Sequence, residues 1–207
     1  MMTSAEERTR AWQIQSLLLS YPDQHLLNRR PLLHAAVATL PKRIAGPLER
    51  FLDSLDRTPL PKLAADYVAT FDHHKRFSLF LTYFTYGDTR KRGMALLRFK
   101  HAYTAAGLDL AGDELPDHLA VVLEFASCAP EAGRRLLVEH RAGLELLRLG
   151  LHEARSPWAD VIDSVTATLP ALTRRDRTAV ARLAATGPEQ EQVGLDPYGR
   201  AIARGSA

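Results

Sequence analysis

The chain has 207 residues, of which 46% are hydrophobic and 25% are charged, a composition that suits one globular domain with a sizeable core. A single cysteine, Cys128, excludes an internal disulfide and the structural zinc sites that need two or more cysteine ligands. The net charge of +3 comes from 27 basic residues interspersed with 24 acidic ones, which argues against nucleic-acid binding as the main function.

No apolar run approaches the roughly 18 residues that a membrane-spanning helix needs. The first residues, Met1–Glu7, contain no basic stretch followed by an apolar one, so the sequence indicates no secretory signal. We therefore expect a cytoplasmic protein without a segment inserted into a membrane.

Helical spacing of apolar residues is evident in the first part of the chain. Ser4 and Glu7 predict a capping box at the start of one helix. A second helix is expected to begin near Pro41, and a third follows the break at Pro59–Pro61. The apolar positions that define these helices are Ile14, Leu17, Leu18 and Tyr21; Ile44, Leu48, Phe51, Leu52 and Leu55; and Leu63, Tyr67, Val68 and Phe71.

The stretch from Ser78 to Tyr86 is rich in aromatic and β-branched residues, which favour strands. An isolated strand would have nothing to pair with in an otherwise helical chain. We therefore predict a helix here, followed by a turn at Gly87. Asp88 is expected to be the N-cap of the next helix, from Thr89 to Ala106, which Gly107 would end.

Four further helices are predicted in the second half of the chain. One runs from Pro116 to Ser127, and the next has Pro130 in its first turn. Ser156–Pro157 opens a third, and Thr173 with Asp176 opens the last.

No strand–turn–strand pattern competes with these helices, and no internal repeat is evident. We predict an all-α, single-domain helical bundle of roughly eight to ten helices over residues 1–187. Residues 188–207 have little apolar periodicity and are expected to form an extended tail.

Common catalytic motifs are absent: the sequence has no glycine-rich phosphate-binding loop, no HExxH and no GxSxG. Asp72-His73-His74 resembles the start of a metallophosphoesterase motif, but that motif needs further aspartates on strand ends, so a solvated turn is the better interpretation. Helical phosphohydrolases bind metal through an adjacent His-Asp doublet. This chain has only the reverse order, at Asp72-His73 and Asp117-His118. We expect no metal ion and no catalytic residues.

Arg90, Lys91 and Arg92 form a basic cluster in the first turn of a predicted helix, whose N-terminus is already positive. They are either solvated residues in salt bridges or contacts to an anionic group on a partner. Together with Arg98 and Lys100 they leave open a nucleic-acid adaptor, which would bind any duplex in a strongly salt-dependent manner.

The segment Glu114–His118 leads into the next predicted helix. Pro116 fixes the backbone there, and the carboxylates of Glu114 and Asp117 are favoured near a helix N-terminus. Helix capping does not account for His118, which could titrate near neutral pH beside such charge.

Several segments of the chain carry a family resemblance in combination. Tyr67–Asp72, Leu79–Tyr83 and Gly87–Leu96 resemble the core signature of the NarJ-type nitrate reductase assembly chaperones. Glu114–Leu119, followed by Leu123–Phe125, resembles the E-x-P-x-D-H hallmark of the wider TorD/DmsD family of redox-enzyme maturation proteins. The proline directly precedes the aspartate here, a tighter spacing that is typical of the NarJ branch. Val193–Gly199 is similar to the end of that branch.

The resemblance covers most of the chain from Ala11 to Gly199 and implies an all-α, TorD/NarJ-like chaperone that is not an enzyme and has no cofactor of its own. It implies binding to the N-terminal segment of the catalytic (alpha) subunit of respiratory nitrate reductase in its apo form. The client would be held during molybdenum cofactor and iron–sulfur insertion, before membrane docking. Proteins that deliver the molybdenum cofactor are candidate further partners.

An amphipathic segment in a groove between helices needs an apolar floor and a charged rim. The floor is expected from four apolar or aromatic residues, although Phe71 and Leu81 also fit plain core positions. The rim is expected from charged residues that meet basic groups of the client. The residues assigned to client binding are Tyr67, Phe71, Leu81, Tyr83, Asp88, Arg92, Glu114, Pro116, Asp117 and His118. Two alternatives stay open: a helical metal-dependent hydrolase using Asp117 and His118, and a chaperone for a different molybdoenzyme.

Overall fold

The computed structural model of the protein describes residues 4–110, 112 and 114–187. These residues form twelve α-helices and no β-strand, which confirms the all-α fold class. The helices are α1 (Ala5–Leu19), α2 (Gln24–Asn28), α3 (Arg30–Val37), α4 (Lys42–Arg57), α5 (Leu60–Phe71), α6 (Tyr83–Tyr86), α7 (Arg90–Ala105), α8 (Leu119–Cys128), α9 (Pro130–Glu139), α10 (Arg141–Glu153), α11 (Trp158–Ala167) and α12 (Arg174–Thr186). Their number exceeds the predicted eight to ten because short helices such as α2 and α6 show no periodicity of their own.

Local capping signals in the sequence are confirmed at both ends of the described chain. The Ser4 hydroxyl accepts a hydrogen bond from the Glu7 N–H at 3.1 Å, and the Glu7 carboxylate accepts from the Ser4 N–H. Thr173 and Asp176 make the same reciprocal pair at the start of α12. These bonds satisfy N–H groups that have no partner inside the helix, which fixes where each helix begins.

The core is built around α8, which packs against α1, and around the pairing of α4 with α11. Seven of the ten residues of α8 are buried, as expected for a helix at the centre of a bundle. Buried polar side chains tie these helices together. The Ser16 hydroxyl donates to the Ala120 carbonyl at 2.8 Å, and the Gln15 amide donates to the Ser164 hydroxyl at 2.8 Å.

Two predictions for the centre of the chain are wrong. Ser78–Leu81 is not helical, because it pairs with the segment before α8, a long-range partner that the local pattern did not reveal. Helical structure in this stretch is confined to a short 3-10 helix before it, Lys75–Phe77, and to α6 after it. Asp88 is not the N-cap of α7, because its carboxylate pairs instead with Lys75 at 2.9 Å.

The helix predicted to begin at Pro130 is divided at His140 into α9 and α10, while most other helix boundaries differ only slightly from the predictions. α8 begins at Leu119, so Pro116 and Asp117 precede it rather than form its first turn. Gly107 and Gly187 follow α7 and α12 with positive φ angles of 73° and 68°, which suits glycine at a helix end. The predicted tail at 188–207 lies outside the described residues. Within the described part of the chain, no helix is long and apolar enough to cross a membrane.

Candidate functional site

The site begins with two segments that lie far apart in the sequence and meet in space. The Leu81 N–H donates to the Asp117 carbonyl at 3.0 Å, and the Leu119 N–H donates to the Leu79 carbonyl at 2.8 Å. These bonds form an isolated antiparallel bridge centred on Phe80 and His118. The bridge fixes the segment before α6 against the segment that leads into α8.

Asp117 lies beneath this bridge with none of its surface exposed. One oxygen of its carboxylate accepts from both the N–H and the hydroxyl of Thr82, and it lies 3.7 Å from the Arg92 guanidinium. Arg92 Nε in turn donates to the Thr82 hydroxyl at 3.1 Å. The other carboxylate oxygen is buried without a hydrogen-bond partner among the described residues. The expectation that Asp117 lies on an open rim is therefore wrong in this conformation.

Arg92, Phe80 and His118 are layered above the buried carboxylate. The Arg92 guanidinium carbon lies 5.2 Å from the centre of the Phe80 ring, in the range of a cation–π contact. The Phe80 and His118 rings meet edge to face at 5.3 Å. Burial lowers the pKa of His118, and the nearby Glu114 and Asp117 carboxylates only partly oppose that effect. His118 is therefore neutral at pH 7.

A groove of about 690 Å³ lies between α7 and the described residues 108–110, 112 and 114–116 that follow it. Its apolar lining includes Leu97, Leu108 and Leu115, whose exposed fractions lie between 36% and 44%. Glu114 and Asp109 stand on the wall opposite α7. Such a surface, apolar with a few charged groups, is typical of peptide-binding grooves.

Tyr103 holds the floor of this groove in place. Its hydroxyl donates to the Pro116 carbonyl, and its ring packs on Phe125 with centroids 4.3 Å apart. Burial, followed by the charge of Asp117, raises the pKa of the Tyr103 hydroxyl, so it remains a donor at neutral pH. A smaller cavity of about 230 Å³ lies on the other side of Tyr103 and also contacts Glu114.

Tyr67 and Phe71 belong to a different part of the molecule, an aromatic cluster around Trp158 in which Tyr67 is buried and Phe71 is partly buried. The Tyr67 ring lies 4.8 Å from Phe71 and 5.6 Å from both Trp158 and Tyr21, and its hydroxyl donates to the Leu19 carbonyl. Burial, Asp72 and Glu114 together raise the pKa of Tyr67. Tyr67 is therefore a core residue and does not form part of an open floor.

Tyr83, the first residue of α6, and Asp88 do not line the groove beside α7. Tyr83 is half-buried and lines a third cavity, of about 490 Å³, together with Phe84 and Leu149. Asp88 is exposed and joins Lys75 to Arg92. Leu81, by contrast, is 1% exposed and belongs to the core, so it does not form part of an open floor. The predicted site residues thus surround the bridge but do not line one cavity.

The described residues show no arrangement that favours a metal-dependent hydrolase or a nucleic-acid adaptor. Among the described residues, no group of three or more His, Cys, Asp or Glu side chains could hold a metal ion. Asp117 bonds to Thr82 rather than to His118, so the two do not form an acid–base couple. The basic cluster is also divided, because Arg92 is turned inward and Arg98 pairs with Glu139 at 3.1 Å.

Comparison with known proteins gives the same assignment as the motifs. A sequence model of the family described as nitrate reductase delta subunit matches residues 36–163, more than half of the chain. The chain belongs to this family. It is 40% identical to the nitrate reductase-like protein NarX of Mycobacterium tuberculosis over 158 residues, which are 76% of this chain and 24% of NarX. It is 33% identical over 156 residues to a Bacillus subtilis protein named as a probable nitrate reductase molybdenum cofactor assembly chaperone, NarJ, covering 74% of this chain and 85% of that protein.

One solved structure has a similar fold. A redox enzyme maturation protein from Archaeoglobus fulgidus superposes with a TM-score of 0.55 and 24% sequence identity, covering 85% of this chain and 93% of that one. This likeness supports the fold alone. The chain spans about a quarter of the NarX relative, so NarX as a whole does not define what this chain does.

Two of the motif segments that carry the family resemblance in the sequence, Leu79–Tyr83 and Glu114–Leu119, are the two segments joined by the bridge. Several structurally important residues were not anticipated: Phe80, Thr82, Leu97, Tyr103, Leu108 and Leu115. Leu97 could have been found, because it lies off the buried stripe of α7, which consists of Ala95, Phe99 and Tyr103. Nothing local marks Thr82 as the partner of a buried carboxylate.

Proposed function

We propose that this chain is an assembly chaperone for respiratory nitrate reductase. It binds the N-terminal segment of the catalytic alpha subunit in the cytoplasm and holds it while the molybdenum cofactor and iron–sulfur clusters are inserted. It releases the subunit before membrane docking. The proposal is supported by membership of the delta subunit family and by the Bacillus subtilis relative, which is named as an assembly chaperone.

The observation that carries the proposal is the groove beside α7. Leu97, Leu108 and Leu115 stay partly exposed on one surface, where covering each of them would contribute on the order of 1 kcal/mol. Asp109 and Glu114 on the opposite wall have no salt bridge within the described part of the chain. Lys100 of α7 also lines the groove, but one ammonium group does not balance two carboxylates, so we expect an amphipathic segment with basic residues.

Only some of the other predicted site residues lie at this surface. Pro116 lines the groove and His118 follows it in the segment that leads into α8, while Tyr67 and Phe71 belong to the separate cluster around Trp158. We propose that the client contacts Glu114 first. No catalytic step is part of this function.

Calorimetric titration with a peptide of the reductase N-terminal segment tests the proposal. Leu97→Asp places a charge on the apolar wall and is expected to weaken binding at least about tenfold. Leu32→Asp is the matched control, because Leu32 is 69% exposed on α3 and lines none of these cavities. Binding by Leu97→Asp at wild-type strength would exclude the groove. No heat from the wild-type protein at any pH between about 6 and 8 would count against the function itself.

The same titration separates nitrate reductase from other clients. N-terminal peptides of other molybdoenzymes are expected to bind more weakly than the nitrate reductase peptide, since specificity is a difference between affinities. Tighter binding of another molybdoenzyme peptide would retain the chaperone role and change the client.

A further inference from the structure

Asp117 cannot touch a client in this conformation, because it is wholly buried beneath the bridge. Thr82, its hydrogen-bond partner, is also 0% exposed. The hydroxyl of Thr82 accepts from Arg92 Nε and donates to the Asp117 carboxylate, so it connects the two charged groups. A buried carboxylate is tolerated only with partners of this kind.

We propose that Thr82, Arg92 and Asp117 form a buried lock that positions the segment Glu114–His118, so that Asp117 acts from beneath the surface rather than by contacting the client. The effect of the lock on client binding rests on the proposed function. The lock itself is a property of the free protein and can be tested without a client. Thr82 and Arg92 are positioning residues in this scheme.

The contacts around Asp117 show how the lock transmits its effect. The backbone of Asp117 accepts from the Leu81 N–H in the bridge, while its side chain is held by Thr82 at the start of α6. Because one residue is held at both its backbone and its side chain, the preceding Glu114 and the following His118 have defined positions. Release of the side chain leaves the two bridge hydrogen bonds and the bond from the Tyr103 hydroxyl to the Pro116 carbonyl to hold the segment.

Arg92 is shared between two carboxylates. Its guanidinium lies 3.4 Å from exposed Asp88 and 3.7 Å from buried Asp117, so neither pair is a short ion pair. The same nitrogen that faces Asp117 is buried without a hydrogen-bond partner among the described residues. The well-formed link to Asp117 therefore runs through the Thr82 hydroxyl, which makes Thr82 the residue to change.

Hydrogen exchange of the bridge amides, Leu81 and Leu119, tests the lock in the free protein. Thr82→Val keeps the side-chain shape and removes the hydroxyl, and it is expected to speed exchange at both amides by about ten- to a hundredfold. Thr82→Ser keeps the hydroxyl, so its bridge amides are expected to exchange at close to the wild-type rate. Arg92→Lys removes the Nε donor at a partly exposed site, and it is expected to speed exchange at the same amides by a smaller factor.

Thr168→Val is the matched control. Thr168 is also a buried threonine whose hydroxyl accepts from Trp12 and donates to the Val165 carbonyl, but it lies far from the bridge in sequence and contacts. Thr168→Val is expected to leave the ratio of exchange rates between the bridge amides and the core amides unchanged. The lock is refuted if Thr82→Val leaves the bridge amides at wild-type exchange, or if it speeds exchange uniformly across the core. Should Thr82→Val not fold, Arg92→Lys gives the same two outcomes.

Peptide titration separates positioning from direct contact. If Asp117 acts through the lock, Thr82→Val and Asp117→Asn weaken client binding by similar factors, and the double variant weakens it no further. If Asp117 contacts the client directly, Thr82→Val binds as wild type does, and that result overturns the proposal. A wild-type protein that binds no client peptide would sink the proposed function, while the exchange experiment would still decide the lock.

Discussion

Gly133 in α9 lies so close to α8 that a Cβ atom added there would stand 2.3 Å from the Cα of Ala126. Ordinary van der Waals contacts begin at 3.4 Å, so Gly133→Ala must push the two helices apart by about 1 Å. Overpacking of this kind costs about 3 kcal/mol. Alanine is the better helix former by about 1 kcal/mol, which offsets part of that cost. We therefore expect the free energy of unfolding to fall by about 2 kcal/mol.

Urea unfolding followed by circular dichroism measures this change. With a denaturant slope of about 2 kcal/mol/M, the midpoint is expected to fall by about 1 M. Gly93→Ala in α7 is the matched control, because no described atom lies within 4 Å of a Cβ built there, and helix propensity should raise stability by about 0.5–1 kcal/mol. A Gly133→Ala protein as stable as the wild type would refute the close packing of α8 against α9.

Two further predictions concern charge. Glu145→Ala leaves the charge of Arg141, its buried partner at 2.8 Å, uncompensated, and is expected to lower the free energy of unfolding by about 3–5 kcal/mol. Glu49→Ala removes only an exposed ion pair and should lower it by less than about 0.5 kcal/mol. Thermal unfolding of both variants measures the difference. Burial lowers the pKa of His118 and His140 in the folded state, so the unfolded chain takes up these protons first as the pH falls. The free energy of unfolding is therefore expected to hold above about pH 6.5 and to decrease below it, and urea midpoints at pH 7.5 and 5.5, measured for the wild type and for His118→Asn, check this. Equal midpoints of the wild type at the two pH values would show that these histidines are solvated.

Local signals in the sequence predicted much of the fold. The apolar stripe of α4 and the capping boxes at Ser4 and Thr173 depend on residues three or four positions apart, so a single segment contains the whole signal. The pairing of Phe80 with His118 depends on residues 38 positions apart, and no rule within either segment indicates it. The same limit explains why Ser78–Leu81 was predicted as helix.

The candidate site was predicted less completely than the fold. The sequence suggested that Asp117 would lie on the charged rim of a client-binding groove, whereas the structure buries it completely. Its burial depends on Thr82 and Arg92, which the tertiary structure brings together. The groove depends on tertiary structure in the same way: the periodicity of α7 places Leu97 off its buried stripe, but only packing shows that Leu97 lines a groove.

Reductase maturation in cells tests the central claim most directly. A host without its own assembly chaperone would express the nitrate reductase subunits with this chain, with its Leu97→Asp variant, or without either, and the purified alpha subunit would be assayed for molybdenum and for nitrate reduction. Wild-type chain is expected to raise molybdenum content and activity severalfold over the host alone, and Leu97→Asp to lose most of that gain. Equal molybdenum content with and without the chain would contradict the proposed function.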